Sequence, residues 1–403
     1  MLGTIIKKEL QGNLSTFRFI LTLLLTVAVF VASGVAFIGK YKNERMDYLN
    51  IKNTNLAGLE KQSAALNLIP NYVQTVRKEP SVTQLMAEGN EKSFPNNFRT
   101  DAFSIRYPEV ESRSNFLFPR FADIDWTFII AFILSFMAIL MTFDSLSSEK
   151  HRGTLSLMMS NAVPRDKVII GKYASGILTL AVPLFVGLIV NIIVVIIGGI
   201  PINGLGIKLI IFIALSLLYL SFFVLLGTLI SSLSSQSSSS IVALLFFWVT
   251  LVIVIPSFGR FAAEKSVRVP TRAEFDEKFA AMYRQIWSNS EKFGKYAGNW
   301  GSGVEVNPPA RAALFNAITE ARAQVRDEYM NKIIAQANAG KNLSRISPTA
   351  LYQYASEALA GTGVVRFERL YGQLKRYREI LKEFVLAKDK EDIEREVMAK
   401  VPY

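Results

Sequence analysis

The chain has 403 residues, of which 51% are hydrophobic, and it carries a formal net charge of +12 at pH 7. It contains no cysteine, which excludes disulfides, thiolate metal sites and a cysteine nucleophile. Its one histidine, His151, cannot build a zinc or di-iron site alone. The basic residues are interleaved with acidic ones and form no basic helix or aromatic platform of the kinds that bind bases, so nucleic acid is not an expected partner.

The first 16 residues are predicted to form an interfacial helix. Their mixture of apolar and basic side chains is typical of a helix that lies along a membrane surface. The residues that carry this pattern are Ile5, Ile6, Lys7, Lys8 and Leu10.

Five apolar runs are long enough to cross a membrane. Between Lys172 and Arg260 the only charged side chain is Lys208. Such runs predict transmembrane helices, because a helix satisfies its own backbone hydrogen bonds inside a hydrocarbon layer about 30 Å thick. The fold class is therefore predicted to be an α-helical polytopic membrane protein. The predicted transmembrane helices are 17–39, 126–143, 173–197, 208–230 and 241–259.

A phosphate-loop match at the end of the first span is rejected. Gly34, Gly39 and Lys40 have the glycine and lysine spacing of such a loop. The next residue is Tyr41, where the loop needs a Ser or Thr for magnesium, and the segment ends a predicted membrane helix instead of joining a strand to a helix. We therefore expect no nucleotide site and no cofactor on this chain, so any ATP chemistry must come from another chain.

The short loops predict the orientation of the spans. Basic residues favour the cytoplasmic side, and the first 18 residues together with 144–172 carry eight of them, against one in 198–208. The amino terminus, the loop 144–172 and the serine-rich turn 231–240 are therefore predicted to be cytoplasmic, in a plasma or inner membrane. The two large polar segments, 40–125 and 260–403, would then be extracytoplasmic domains.

The two polar segments differ in pattern. The first has several prolines and weak periodicity, so it is predicted to be mixed or loop-rich. In the second, apolar residues recur at helical spacing, for example at Phe275 and Phe279. Ser347 and Pro348 predict the cap and first turn of a helix that ends at Gly361. The second domain is therefore predicted to be mainly helical.

The spans argue against an ion-coupled carrier. Their apolar cores contain no Asp, Glu, Lys, Arg or His, whereas carriers driven by protons or ions usually keep such residues near the membrane midplane. Pro183 predicts a kink in the third span. An apolar bundle of this kind could pass an amphiphile or transmit force if another subunit supplied the energy.

The loop between the second and third spans contains Glu149 and the run from Arg152 through Gly153 and Thr154 to Leu155, and it continues through Met158, Pro164 and Arg165 to Gly171 and Lys172. This pattern resembles the cytoplasmic signature of the ABC transporter type 2 permease family. In that family the signature marks the coupling helix and the approach to the third span, where this chain has Gly171 and Lys172. The resemblance implies an ATPase-coupling loop formed by Glu149, Lys150, His151, Arg152, Gly153, Thr154, Leu155 and Met158.

Two further segments extend the resemblance. The residues from Ile5 to Leu10 look like the family's elbow helix, which precedes the first span. The stretches 346–352 and 359–363 are similar to a subfamily with a large external domain before the last span. Members of the family have six spans and this chain has five. Either a sixth span follows Tyr403 in the natural protein, which we favour, or this is an unusual five-span variant.

The resemblance implies a permease subunit, and not an enzyme, in an ATP-driven exporter. Two ATP-binding subunits would supply ATP and Mg, and a second copy or a related permease would complete the membrane part. The expected cargo is an amphiphilic, lipid-like or peptide-like substrate, with membrane lipid as a neighbour. One alternative is a force-transmitting or scaffolding complex that acts on an external partner protein without transport. A membrane-bound enzyme ranks third because catalytic groups are lacking.

Overall fold

The computed structural model describes residues 2–63, 69, 72–89, 97–106, 124–154, 160, 164–298 and 307–391. Almost all of this part of the chain is helical. The helices at the amino-terminal side are α1 (Leu2–Leu14), α2 (Phe17–Gln62), α3 (Trp126–Phe128, continued by the π-helical Ile129–Leu134 and by Ser135–Thr142) and α4 (Ser147–His151). The others are α5 (Arg165–Ile197), α6 (Gly206–Leu233), α7 (Ser237–Val249, π-helical Thr250–Val254 and Ile255–Ser266), α8 (Arg272–Ser288), α9 (Pro308–Ser344), α10 (Pro348–Ala360) and α11 (Gly363–Glu391).

Five helical stretches of the described residues are long and apolar enough to span a membrane. They are α2, α3 with α4, α5, α6 and α7, which correspond to the five predicted spans. The predicted fold class, an α-helical polytopic membrane protein, is confirmed. Helix α1 and helix α4 lie at one end of the spans, which we call the α1 end. Helices α8 to α11 lie at the other, which we call the domain end.

Several helices run past the predicted limits of the spans. Helix α2 continues to Gln62, because no proline and only Gly58 interrupts residues 40–62. The first polar segment, predicted as mixed, therefore begins as helix. It also contains two antiparallel strands, β1 (Gln74–Arg77) and β2 (Asn97–Thr100), with Gln74 opposite Thr100.

The two connections at the α1 end are shorter than the sequence suggested. Helix α5 begins at Arg165, within the predicted loop 144–172. Helix α6 extends to Leu233 and helix α7 begins at Ser237, so only residues 234–236 of the predicted serine turn join them.

The spans pack through small residues. A side chain at Gly187 of α5 would lie 2.7 Å from Phe30 Cε2 of α2, and the Phe30 ring is fully buried there. Close approach through glycine is how helices pack in a membrane, where no hydrophobic effect drives them together. Nearby, buried Asn191 accepts a hydrogen bond from Trp126 Nε1 at 3.0 Å and donates to the Phe30 carbonyl, which ties α5 to α3 and α2.

The domain end has its own core, and its predicted helices are present. Phe98 of β2 packs with Phe367 and Tyr371 of α11 and is fully buried. Helix α8 contains the predicted apolar repeat and begins with a capping box at Thr271. Helix α10 has the predicted cap, in which Ala350 N donates to Ser347 Oγ at 3.2 Å. It ends at Gly361, whose φ of 73° lies in the left-handed region that glycine favours.

Candidate functional site

Helix α1 lies against the first turns of α5. A side chain at Gly171 would place its Cβ 2.6 Å from Ile5 Cγ2, so glycine at this position allows the two helices to approach closely. Ile5, Ile6 and Leu10 are half-buried, whereas Lys7 and Lys8 are exposed. The helix therefore has the apolar and basic sides that the sequence predicts for an interfacial helix.

Lys172 joins three elements through one buried ammonium group. Its Nζ donates to Glu9 Oε1 of α1 at 3.1 Å and to Glu149 Oε1 of α4 at 2.8 Å. The Lys172 side chain is only 3% exposed, and the two carboxylates are about a quarter exposed or less. We call Glu9, Glu149 and Lys172 the ionic triad. Two negative groups share one positive group, so neither α1 nor α4 can leave α5 without breaking a charge-assisted hydrogen bond.

The serine run holds the amino-terminal end of α4. Ser231 Oγ accepts hydrogen bonds from the backbone N–H groups of Leu146 and Ser147, both at 3.0 Å. These groups have no partner within a helix that starts here, so Ser231 of α6 acts as its cap. Ser147 Oγ lies 3.1 Å from Ser237 Oγ of α7, and Lys150 Nζ donates to the Ser232 carbonyl. Helix α4 is thus attached to α5, α6 and α7 together.

The predicted coupling loop is divided by this packing. Glu149 points inward to the ionic triad, whereas Lys150, His151, Arg152, Gly153 and Thr154 are exposed. Leu155 and Met158 lie outside the described residues. One side of α4 is therefore attached to the spans, whereas residues 150–154 form an exposed surface with basic side chains.

Sequence reasoning missed part of this site. Glu9 and Ser231 were not singled out, and Lys172 was noted only as part of the signature. The available signal was weak: one acid in the predicted interfacial helix, and a serine cluster at a helix end, where hydroxyl groups commonly cap backbone groups.

At the domain end, the turn between α9 and α10 is inserted among the spans. Ser347 Oγ donates to the Leu251 carbonyl at 2.6 Å, and Leu251 lies about 20 Å along α7 from Ser237 at 1.5 Å per residue. Tyr352 Oη lies 2.8 Å from Ser216 Oγ of α6. We call residues 344–360 the inserted hairpin. The sequence prediction placed all of 260–403 outside the spans, and the structure differs here because Ser347, Thr349 and Tyr352 find polar partners inside the bundle.

The hairpin meets the spans where two of them are π-helical. In α7 the bonded carbonyl, that of Leu251, belongs to the π-helical Thr250–Val254. In α3 the π-helical Ile129–Leu134 contains Ala131, whose carbonyl accepts from Tyr219 Oη at 2.9 Å. Tyr219 Oη also lies 3.0 Å from Thr349 Oγ1 of the hairpin. π-Helical turns are rare and frequently occur at functional sites, so both carbonyls mark the hairpin contact as a second candidate site.

Comparison with known families agrees with the resemblance in the loop. The family model described as "ABC-2 family transporter protein" matches residues 3–373, from α1 into α11. The chain belongs to the ABC-2 transporter family. It is therefore the membrane permease of an ABC transporter, a subunit that works with an ATP-binding subunit. Comparison with curated proteins finds no match.

In this ABC-2 permease the rejected phosphate-loop match lies inside a helix. Residues 34–40 fall in the middle of α2, with helical backbone on both sides, so no strand leads into them. Lys40 forms an ion pair with buried Glu88 instead of facing an open loop.

Asp125 begins α3 of the permease next to this pair. Its Oδ1 accepts from Phe128 N at 2.7 Å, and its Oδ2 accepts from Glu88 N at 2.8 Å and Gly89 N at 3.4 Å. Desolvation beside the start of α3 raises the pKa of the Asp125 carboxyl to about 6, and the hydrogen bonds from the backbone only partly oppose that shift.

The raised pKa of Asp125 predicts that the stability of the folded permease depends on pH. Because the folded pKa of about 6 lies above the ordinary value of 3.8, Asp125 contributes stability at low pH that is lost as the pH rises to about 6. This rise in pKa corresponds to a loss of about 3 kcal/mol in the free energy of unfolding. We expect the melting temperature of the wild type, minus that of Asp125→Asn, to fall between about pH 4 and pH 7. A difference that stays constant would contradict the assignment.

Proposed function

We propose that this permease is the membrane part of an ATP-driven exporter of an amphiphilic, lipid-like or peptide-like substrate. In this proposal two permease chains, identical or related, pair above two ATP-binding subunits. The α1 end faces the cytoplasm of a plasma or inner membrane, as the excess of basic residues in its loops favours. The domain end is then extracytoplasmic.

The ionic triad is the observation that carries the proposal. A partner that moves the exposed side of α4 acts on Glu149, and through Lys172 on α5 and α1. The Ser231 cap passes the same displacement to α6. Since these contacts are buried and hydrogen-bonded, α4 and the adjoining ends of the spans should move as one body.

In this proposal the inserted hairpin closes the bundle at the domain end. An outward path between α3, α6 and α7 requires the hairpin to release its polar contacts, such as that of Ser347 with Leu251 and that of Tyr352 with Ser216. Each contributes about 0.5–1.5 kcal/mol net. The closed arrangement is therefore stable at rest, and the cost of opening is only a few kcal/mol. The apolar lining of the bundle suits an amphiphile better than an ion.

A second function, force transmission to an external partner, is favoured by another contact. Helix α9 packs directly on α7, where Gly259 lies against Ser344, and Gln336 Nε2 donates to the Val267 carbonyl at 2.8 Å. Motion of α7 would therefore reach α9 and the helices packed on it. Substrate movement by the reconstituted permease and its ATPase favours export, whereas binding of an external protein that follows the ATP cycle without such movement favours force transmission.

In this proposal an ATP-binding subunit docks on the exposed residues 150–154, which we call the docking surface. Charge reversal at Arg152 tests it. Arg152 is exposed, so the free energy of unfolding of Arg152→Glu should stay within about 0.5 kcal/mol of wild type. A like charge facing a partner's surface costs several kcal/mol. We expect at least a tenfold loss of the ATP-binding subunit on co-purification.

Arg165→Glu is the matched control for this experiment. Arg165 is also an exposed arginine at the α1 end, but it begins α5 and does not belong to α4. It should retain the ATPase. Equal retention by both variants would show that α4 and the residues after it do not form the docking surface.

A further inference from the structure

A cavity of about 240 Å³ lies where α7, α9, α10 and α11 meet at the domain end. Its walls carry both signs of charge. Arg260 and Glu264 come from α7, Lys341 from α9, and Tyr354 and Glu357 from α10. Glu357 is buried, Arg260 and Lys341 are half-buried, and Glu264 is exposed. The cavity therefore has groups of both charges along its walls and room for a ligand that carries both charges.

The cavity lies at the level where the membrane ends. Arg260 is the first charged residue after Lys208, so it marks the transition from the apolar part of α7 to its polar end. On the outer side of the same turn, Phe258 is 66% exposed and Phe261 is 58% exposed. Phe258 and Phe261 thus form an exposed aromatic wall beside the charged cavity. This arrangement fits an amphiphile whose headgroup enters and whose chains stay outside.

The chemistry of the walls selects among headgroups. A guanidinium such as that of Arg260 has five N–H donors in a fork that suits phosphate, so it can bind a phosphate oxygen and keep a protein partner. Carboxylates accept hydrogen bonds from a primary ammonium but not from a quaternary one. A quaternary ammonium needs an aromatic face, and Lys341 Nζ already lies 5.6 Å from the Tyr354 ring centroid.

We propose that this cavity binds the headgroup of a zwitterionic phospholipid with a primary ammonium, of the phosphoethanolamine type. Arg260 and Lys341 bind the phosphate, and Glu264 and Glu357 accept from the ammonium. The proposal concerns binding by the permease alone and does not require that the lipid be transported. Its outcome is thus separate from that of the Arg152 experiment.

A second charged groove, also lined by residues of α9, provides the control. It is lined by Arg268, Glu274, Lys278, Glu328 and Lys332 at the junction of α8 and α9. In this groove Lys332 Nζ lies 3.2 Å from Glu328 Oε1. Nothing in that groove belongs to a span, so a lipid headgroup has no reason to enter it.

The test is lipid binding to the purified permease in detergent, measured by native mass spectrometry. Phosphatidylethanolamine, phosphatidylcholine and phosphatidylglycerol are added in turn. We expect phosphatidylethanolamine to bind about tenfold more tightly than the other two. Lys341→Gln should lower that affinity about tenfold, Lys341→Arg should largely retain it, and Lys332→Gln should leave it unchanged. Equal binding of the three lipids, or an unchanged Lys341→Gln variant, would overturn the proposal.

A competition arm identifies the source of the headgroup. Soluble O-phosphoethanolamine carries the same charges without acyl chains. If the exposed aromatic wall binds the acyl chains, O-phosphoethanolamine should displace the lipid only at concentrations about a hundredfold higher than that of the lipid. Displacement at equal concentration would assign the cavity to a small soluble zwitterion and overturn the lipid assignment. The melting temperature of each variant, measured in the same detergent, confirms that loss of binding does not follow from loss of fold.

Discussion

Replacing Lys172 by methionine should destabilise the permease by about 3 kcal/mol and detach its ATP-binding partner. Removing one member of a buried ion pair typically costs 3–5 kcal/mol, because the remaining charge is left without compensation. Here two carboxylates, Glu9 and Glu149, would face each other, and their partial exposure places the cost at the lower end. The measurements are thermal melting in detergent and co-purification of the ATPase.

The matched control is Lys208→Met, which removes the other lysine of the long apolar tract. Lys208 lies at the opposite end of the spans, near the start of α6, and belongs to no triad. Its melting temperature should stay close to wild type. Adding Glu9→Gln and Glu149→Gln to Lys172→Met should restore most of the lost stability, since no buried charge then remains. Wild-type melting of Lys172→Met would show that the triad does not hold α1 and α4 to α5.

The spans were predictable because the membrane allows so few alternatives. A segment such as 208–230 has to be helical to satisfy its backbone in hydrocarbon, and helix α6 covers it. The ends of the helices were less predictable. Helix α2 leaves the apolar region near Lys40 and continues as a charged helix to Gln62, since the limit of hydrophobicity and the limit of helical backbone are set by different forces.

The ionic triad could not be derived from the sequence. Glu9 and Lys172 are 163 residues apart, and their pairing depends on how α1 packs on α5. The sequence assigned Glu149 to the predicted coupling loop, and only the position of α5 turns it inward. Charges that pair across helices depend on tertiary packing, which a one-dimensional pattern does not encode.

The position of the inserted hairpin was not predicted, for a different reason. The local signals at Ser347, Pro348 and Gly361 correctly predicted α10, because capping depends on neighbouring residues. The insertion was missed because the surrounding segment is rich in charge. In retrospect residues 346–356 are free of charge, and Ile346 is 80% exposed in the isolated chain. An uncharged stretch with an exposed aliphatic residue is a weak sign of contact with lipid or with a second chain.

Replacing Gly259 by leucine should expel this hairpin from the spans. A Cβ atom at Gly259 would lie 3.1 Å from the backbone nitrogen of Ser344 and 3.2 Å from its Cα, and backbone atoms cannot rotate away as a side chain can. Overpacking of a tight contact typically costs 1–3 kcal/mol. The polar contacts that hold the tip, such as that of Ser347 with Leu251, would be lost with it.

Thiol accessibility can report the expulsion, because the chain has no cysteine of its own. Ala350 is 1% exposed, so Ala350→Cys in the otherwise unchanged permease should react slowly with a polar thiol reagent. Adding Gly259→Leu should raise that rate at least tenfold and lower the melting temperature. Adding Gly39→Leu instead should change neither, because Gly39 lies on the exposed side of α2 with no neighbouring atom within 4 Å. Slow labelling in both backgrounds would show that the hairpin does not depend on its contact with α7, and the proposed closure at the domain end would lose its structural basis.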